Sequence, residues 1–195
     1  VIFMKYLFRG ASAFNKPLNG WDVSSAIRMT QMFWGAEVFN QDIGSWIVSN
    51  VTDMSQMFQG ARAFNNGGSP LINNWDTSSV NTMNGMFNGA INFNQPLNNW
   101  DVSNVTNLSF TFSNATIFNQ DLSDWDTSSV TTMKATFLNA RAFNRTLTRD
   151  GNKWNTSSVI TMEDMFNEAR AFNNGGSALI NNWDTSSVNT MNGMF

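Results

Sequence analysis

The chain contains no cysteine and no histidine, and each absence removes a class of chemistry. Without cysteine there is no disulfide framework, and without either residue the commonest zinc ligands, general bases and nucleophiles are missing. Charged residues make up only 13 % of the 195 residues, and the 11 Lys and Arg are scattered rather than clustered. The sequence therefore carries no electrostatic footprint for nucleic acid, and we expect no nucleic-acid partner.

The sequence also lacks an uninterrupted apolar run of about 18 residues, so we predict that no part of it spans a membrane. A signal peptide and capping repeats are not visible either. The repeating pattern described next is already under way at the first residue and is interrupted at the last. We therefore expect the chain to be a segment of a longer protein.

One pattern fills the chain: Trp-Asp-Val/Thr-Ser-Ser/Asn-Val-x-x-Met-x-x-Met-Phe-x-Gly/Asn-Ala-x-x-Phe-Asn. Its seven copies begin at Trp21, Trp46, Trp75, Trp100, Trp125, Trp154 and Trp183. A near-constant period of this size is typical of stacked units, none of which buries its apolar face alone. We predict one segment, residues 1–195, with partial repeats 1–20 and 183–195 and full repeats 21–45, 46–74, 75–99, 100–124, 125–153 and 154–182.

Two periodicities within a repeat predict its local structure. Trp100 and Val102 alternate as residues of a half-buried strand do. The apolar residues that follow each strand are instead three and four apart, which favours a short helical or 3-10 segment, as in Val80, Met83, Met86, Phe87 and Ala90. We predict an α/β repeat solenoid, a leucine-rich-repeat-like right-handed coil with short parallel strands and short helical segments.

Four extra residues precede Trp75, Trp154 and Trp183, and we expect them to form loops just before the strand. Residues 64–87 and 172–195 are the same 24 residues, except that Pro70 is replaced by Ala178. This indicates duplication of a block of four repeats.

The rows of identical residues have a structural and a functional interpretation. We expect the Trp row to be core, although an exposed row would stack sugars. We expect the Met residues to fill the core rather than to form a binding stripe, with only partial burial on that side because Thr111 and Thr136 replace Met there. The Asn of each Phe-Asn pair, such as Asn94, is expected to bond to the backbone of the neighbouring coil.

The residue after Trp is the candidate site, since it points away from the core on a strand. The row consists of Asp22, Asp76, Asp101, Asp126 and Asp184. One interpretation is that each Asp accepts bonds from the following Ser or Thr; the other is that stacked carboxylates capture Ca²⁺. Asn155 and Ile47 interrupt the row, which favours the first interpretation, and we expect no other cofactor.

The string Phe-Asn-Gln-Pro-Leu-Asn-Asn-Trp-Asp-Val-Ser-Asn-Val-Thr-Asn-Leu at residues 93–108 closely resembles the bacterial surface protein twenty-six-residue repeat. That family is a domain of unknown function of mycoplasma lipoproteins and BspA-like surface proteins, grouped with leucine-rich repeats. The resemblance covers essentially the whole chain. It implies a leucine-rich-repeat-like coil, with Leu97, Trp100 and Val102 in the places of the strand leucines. It also implies a cell-surface or secreted location and a role in adhesion or recognition.

The sequence thus predicts a non-enzymatic structural and protein-interaction repeat of a larger surface or secreted protein or assembly. Its expected partner is a protein or a larger assembly. The alternative is an array that binds Ca²⁺ or carbohydrate on the face bearing the Asp row. An enzyme is the least favoured class, because no catalytic constellation is visible.

Overall fold

The computed structural model describes residues 2–147 and 154–195. Strand β1 is Ile2–Phe3 and strand β2 is Ala26–Arg28, and these two strands pair in parallel. Short 3-10 helices span Asn66–Gly68, Pro70–Asn74, Asn174–Gly176 and Ala178–Asn182. The described residues include no α-helix, and none of their helices has the length and apolar character needed to cross a membrane.

The predicted fold class, an α/β leucine-rich-repeat-like solenoid of strands and helical segments, is wrong. Trp100 and Val102 are both buried, but no strand forms around them. The run from Val80 to Ala90, predicted as helical, is mostly a succession of turns. Most of the described backbone belongs to turns and irregular segments, stacked coil upon coil.

The backbone hydrogen bonds of the turn run explain the absence of a helix. The N–H of Gly85 donates to the carbonyl of Ser109 at 2.8 Å, and that of Phe87 donates to Thr111 at 2.9 Å. These acceptors lie in the next coil, whereas an α-helix would use carbonyls four residues earlier in the same coil. Between them, the N–H of Met86 closes a turn onto Met83 at 3.0 Å. Because turn closures three residues apart reproduce helical spacing, the apolar side chains still face the core.

Left-handed backbone recurs twice in each of seven described coils, with the two residues four apart, beginning with Tyr6 and Gly10. The later pairs are Gln31 and Gly35, Gln56 and Gly60, Gly85 and Gly89, Phe110 and Asn114, Ala135 and Asn139, and Asp164 and Glu168. Residues with positive φ interrupt a right-handed helix and suit the third position of a tight turn. The turn run is therefore built into every coil, whether or not glycine is present.

Successive coils run in parallel and are joined through one bridge residue in each. The bridges link Arg28, Asp53, Thr82, Asn107, Thr132, Thr161 and Thr190 in order. Among the described residues, only one residue per coil takes part after β1 and β2, so the ladder does not widen into a larger sheet there. Register along the stack is nevertheless kept, because the turn run adds further inter-coil bonds after each bridge.

Two rows of phenylalanine rings form the centre of the stack. In the first row Phe58 stacks on Phe87 with ring centroids 5.6 Å apart, and in the second Phe64 stacks on Phe93 at 5.9 Å. Within one coil the two rows touch, as Phe58 and Phe64 do at 3.9 Å. Each stacked pair contributes about 0.5–1.5 kcal/mol beyond its buried area, so the rows favour the observed coil register.

The Trp row is core, as predicted, except at Trp21 in the first full repeat, which is 42 % exposed. Trp46, Trp75, Trp100, Trp125, Trp154 and Trp183 are all at most 9 % exposed. The indole Nε1 of Trp100 donates to the carbonyl of Ile72 at 2.8 Å, and that of Trp125 donates to Leu97 at 2.9 Å. Trp75 and Trp183 differ, because the buried Nε1 of each has no hydrogen-bond partner. Stacking of sugars on the buried part of this row is thereby excluded.

Most Met residues are buried, as predicted, but the expectation of partial burial where Thr replaces Met is wrong. Thr111 and Thr136 are fully buried. The hydroxyl of Thr111 is 2.7 Å from the carbonyl of Leu108 and 3.1 Å from that of Met83 in the preceding coil. A buried hydroxyl is tolerated when it is hydrogen-bonded, so these two Thr side chains are part of the core.

The Asn of each Phe-Asn pair forms a ladder along the stack. The Oδ1 of Asn94 accepts the backbone N–H of Asn119 at 2.9 Å, and the Oδ1 of Asn65 accepts the N–H of Asn94 at 2.9 Å. The same bond joins every successive pair in the series Asn15, Asn40, Asn65, Asn94, Asn119, Asn144 and Asn173. The predicted bonding is confirmed, although the ladder is half-buried or exposed rather than buried.

The two copies of the duplicated block fold alike. Asn66 and Asn174 are buried, and each Oδ1 accepts a backbone N–H of the preceding coil at 2.9 Å, from Ile43 and Leu147 respectively. Both insertions take the form of 3-10 turns before Trp75 and Trp183, so the predicted loops are confirmed and the strand after them is not. The insertion before Trp154 reaches into residues 148–153, outside the described residues.

The ladder predicts that Asn94→Ala lowers the free energy of unfolding by about 1–3 kcal/mol, because the Asn119 N–H loses its acceptor. The measurement is urea denaturation followed by circular dichroism. Asn98 is unsuitable as a control, since its side chain bonds to Asp124 in the next coil. Asn92 is exposed, so Asn92→Ala serves as the matched control with little expected loss. Equal losses in the two variants would contradict the ladder.

The Trp row allows a second comparison of matched substitutions. Trp100→Phe removes an indole hydrogen bond as well as ring volume, whereas Trp75→Phe removes only volume. Trp100→Phe should therefore cost about 1 kcal/mol more in unfolding free energy than Trp75→Phe. Urea midpoints of the two variants measure the difference. A larger loss of unfolding free energy in Trp75→Phe than in Trp100→Phe would contradict a stabilising role for the Trp100 indole hydrogen bond.

Candidate functional site

The five predicted Asp residues lie on one exposed face of the stack. In each of Asp22, Asp76, Asp101, Asp126 and Asp184, Oδ1 accepts the backbone N–H of the Ser two residues later, at 2.9–3.1 Å. In Asp22, Asp76 and Asp101, the Ser hydroxyl also donates at 2.6 Å. The geometry is that of the turn-acceptor interpretation, in which Asp caps its own loop.

These bonds lower the pKa of three members of the row. The Ser78 hydroxyl and then the Ser78 N–H hold the pKa of Asp76 below its ordinary value of 3.8. The hydroxyl and N–H of Ser24 lower the pKa of Asp22 in the same way, and Ser186, through its N–H first, lowers that of Asp184. Since the folded-state pKa is depressed, the bonds stabilise the fold above the ordinary pKa, and this contribution is lost as the pH falls through the folded value.

An open groove lies beside two members of the row. Asp101, Asp126 and Asp124 line it together with Asn98, and its volume is about 580 Å³. Asn98 donates to Oδ2 of Asp124 at 2.6 Å, so part of the carboxylate surface is already bonded. Within residues 2–147 and 154–195, no three His, Cys, Asp or Glu side chains form a group that could hold a metal ion. The groove thus offers scattered carboxylate oxygens and amides.

The side chains joining the coils on this face replace the predicted strand ladder. Thr77 donates through its hydroxyl to the carbonyl of Asp101 at 2.9 Å, and Thr156 donates to Asp184 at 2.8 Å. Asn104 donates through Nδ2 to the carbonyl of Ser78 at 2.8 Å. The backbone therefore needs no regular β pairing here, and the loops remain open to solvent.

A second groove, which the sequence did not predict, lies elsewhere on the stack. Its floor is Gly35, Gly60 and Gly89, and its walls are formed by Trp34, Glu37, Gln59, Arg62 and Asn88. We call it the glycine groove; its volume is about 370 Å³. One sequence signal was available, because Trp34 is the single Trp of eight that lies outside the Trp row.

The Asp row predicts the response to calcium. If the Asp residues cap their own loops, millimolar Ca²⁺ should leave the melting temperature unchanged. Asp101→Asn should also cost little, because an amide oxygen accepts the same bonds, whereas Asp101→Ala should lower the melting temperature. Thermal denaturation with Ca²⁺ and with chelator measures both effects. A rise in melting temperature with Ca²⁺ that Asp101→Asn removes would instead support a cation site.

A protein-family model matches the chain in three overlapping segments, residues 1–70, 68–177 and 145–195. No curated protein and no solved structure matches the chain significantly. The three segments together extend over all the stacked coils, which agrees with a family built from this repeat. The chain belongs to the family described as Mycoplasma protein of unknown function, DUF285.

Proposed function

We propose that the chain is a non-enzymatic structural and protein-interaction repeat of a larger surface or secreted protein or assembly. The observation that carries the proposal is a contrast within the chain itself. The copies keep the residues that hold the coils together and vary at exposed positions, among them one edge of the stack. The resemblance to bacterial surface repeats adds the surface location to this proposal.

The constant residues have structural partners. The two Phe rows and the Trp row stack from coil to coil, and the Asn ladder bonds each coil to the next. The Ala before the edge, such as Ala61 or Ala90, is fully buried. Positions with such contacts are fixed by packing and leave little freedom for recognition.

The variable edge consists of the two residues that follow this Ala. It reads Glu37-Val38, Arg62-Ala63, Ile91-Asn92, Thr116-Ile117, Arg141-Ala142 and Arg170-Ala171 along the stack. Val38 and Ile117 are 46 % and 47 % exposed, so apolar side chains stand beside charged ones. Mixed apolar and charged surface on a rigid scaffold is suited to protein recognition. We call these residues the variable edge.

The remaining surface favours binding over catalysis. Ion pairs on it join exposed side chains, as Lys134 and Glu163 do at 2.8 Å, and the pKa of Lys134 is raised by its bond to Glu163. Arg170 likewise lowers the pKa of Glu168. These shifts come from solvent-exposed pairs and not from desolvation in an enclosed pocket, which is the usual mark of a catalytic acid or base.

The proposal is tested by site-specific photocrosslinking in cells that make the protein. A photoreactive amino acid replaces Val38 or Ile117 on the variable edge. Each should give a protein adduct of discrete mass, identified by mass spectrometry. The matched control is Ser79, which is exposed on the face of the Asp row.

The control position should give no adduct of that mass. Adducts of equal yield at all three positions, or no adduct at Val38 and Ile117, would contradict a partner that binds the variable edge. Labelling of the chain on intact cells by a membrane-impermeant reagent tests the surface location separately. Failure to label it would contradict that part of the proposal.

A further inference from the structure

Asn-Gly pairs occur at six places in the chain, and the structure gives them different environments. In such a pair the backbone nitrogen of Gly attacks the side-chain amide of Asn, since glycine has no side chain to hinder the approach, and Asn is accordingly a thermolabile residue. The pairs are Asn19-Gly20, Asn66-Gly67, Asn84-Gly85, Asn88-Gly89, Asn174-Gly175 and Asn192-Gly193. Their covalent chemistry is the same, so the hydrogen bonding of each Gly nitrogen decides which pair reacts in the folded chain.

Two of the Gly nitrogens are held by backbone bonds between coils. The N–H of Gly85 donates to the carbonyl of Ser109 at 2.8 Å, and that of Gly89 donates to the carbonyl of Ser113 at 2.8 Å. The nitrogen attacks only after it has lost its proton and has moved toward the side chain. Each of these inter-coil bonds must therefore open before the reaction, which slows it by the fraction of time that the bond is open.

The pairs in the duplicated block are held on both sides of the reaction. The N–H of Gly67 donates to Oδ1 of Asn40, a member of the Asn ladder, at 3.0 Å. The side chain of Asn66 is buried, and its Nδ2 donates to the carbonyl of Ser69 at 2.8 Å. The second copy, Asn174-Gly175, has the same arrangement. Both the attacking nitrogen and the amide under attack are thus fixed.

Asn19-Gly20 differs from these four pairs. Both residues are exposed, and among the described residues neither the Gly20 N–H nor the Asn19 side chain has a hydrogen-bond partner. The corresponding N–H in the next coil, that of Ser45, makes no backbone bond either. A Cβ built on Gly20 would meet no atom within 4 Å, so the space around this nitrogen is open.

We propose that Asn19 is a site of spontaneous deamidation in the folded chain. The Gly20 nitrogen gives its proton to hydroxide and forms a bond to Cγ of Asn19. The bond from Cγ to Nδ2 then breaks, and the amide nitrogen leaves as ammonia. Water adds to one of the two carbonyls of the resulting five-membered imide and breaks its bond to nitrogen, which leaves either aspartate or isoaspartate. The only co-reactants are water and hydroxide.

Deamidation changes the first loop of the Asp row. Either product adds a carboxylate three residues before Asp22. Isoaspartate also lengthens the main chain inside a turn that the Trp21 N–H closes onto the carbonyl of Leu18 at 3.0 Å. The loop becomes more acidic, and in the isoaspartate form its turn is distorted. This inference goes beyond the proposed function, since it concerns a covalent change of the chain and no partner.

All six pairs are followed together in the full chain during incubation in mildly alkaline buffer. Peptide mass spectrometry of timed samples detects the replacement of NH₂ by OH, and synthetic isoaspartyl peptides identify the products. Asn19 should react about tenfold or more faster than Asn84. Gly20→Ala should fold, given the open space at its Cβ, and should slow the reaction at Asn19. Asn92→Ala, an exposed change elsewhere, is the matched control and should leave that rate unchanged.

Asn192-Gly193 provides a comparison matched in sequence. Residues 190–195 repeat residues 82–87, but among the described residues the Gly193 N–H lacks the inter-coil bond that Gly85 makes. Asn192 should react faster than Asn84 in the folded chain and at the same rate in concentrated urea.

Three results would overturn the proposal. The first is an equal rate at Asn19 and Asn84 in the folded chain, and the second is a Gly20→Ala variant that reacts at Asn19 as fast as the parent. The third is a difference between Asn19 and Asn84 that persists unchanged in urea, because it would then come from the neighbouring residues and not from the fold.

Discussion

Hydrogen bonding between neighbouring coils is the constraint on which the rest of the structure depends. A coil of turns cannot satisfy its own buried N–H and C=O groups, and leaving each one unpaired costs about 1–3 kcal/mol. Alternate residues of the turn run therefore donate to the next coil, as Gly85 and Phe87 do. This arrangement requires left-handed backbone even at Phe110, Ala135 and Asp164, where it costs roughly 1–2 kcal/mol per residue. The inter-coil bonds offset that cost.

Short polar side chains extend the same bonding, which accounts for a composition low in charge. The Asn ladder pairs an amide oxygen with the next backbone N–H, and the Thr77 hydroxyl reaches the carbonyl of Asp101. Asn and Thr are suited to this because they are compact and carry donors and acceptors without a charge to desolvate. With structure maintained by the repeated residues, the variable edge and the glycine groove are free to differ from coil to coil.

The sequence predicts the Trp row and the Asn ladder, but it does not predict the backbone conformation that positions them. Alternation correctly places Trp100 and Val102 in the core, and the invariant Asn94 correctly indicates a ladder. The spacing of Met83, Met86 and Phe87 fails as a helix signal, because turn closures three residues apart give the same spacing. The full burial of Thr111 was not predicted, because the backbone carbonyls that lie near its hydroxyl, those of Leu108 and of Met83 in the preceding coil, are not visible in the sequence pattern. The glycine groove was missed because the Gly60 floor and the Trp34 wall belong to different coils.

The most direct test of the inter-coil bonding is nuclear magnetic resonance measurement of scalar couplings across hydrogen bonds. The account predicts a coupling between the amide nitrogen of Phe87 and the carbonyl carbon of Thr111, and another between Gly85 and Ser109. Such couplings identify donor and acceptor without reference to any fold. Couplings from Phe87 to Met83, four residues earlier, would show a helix instead and would contradict the account.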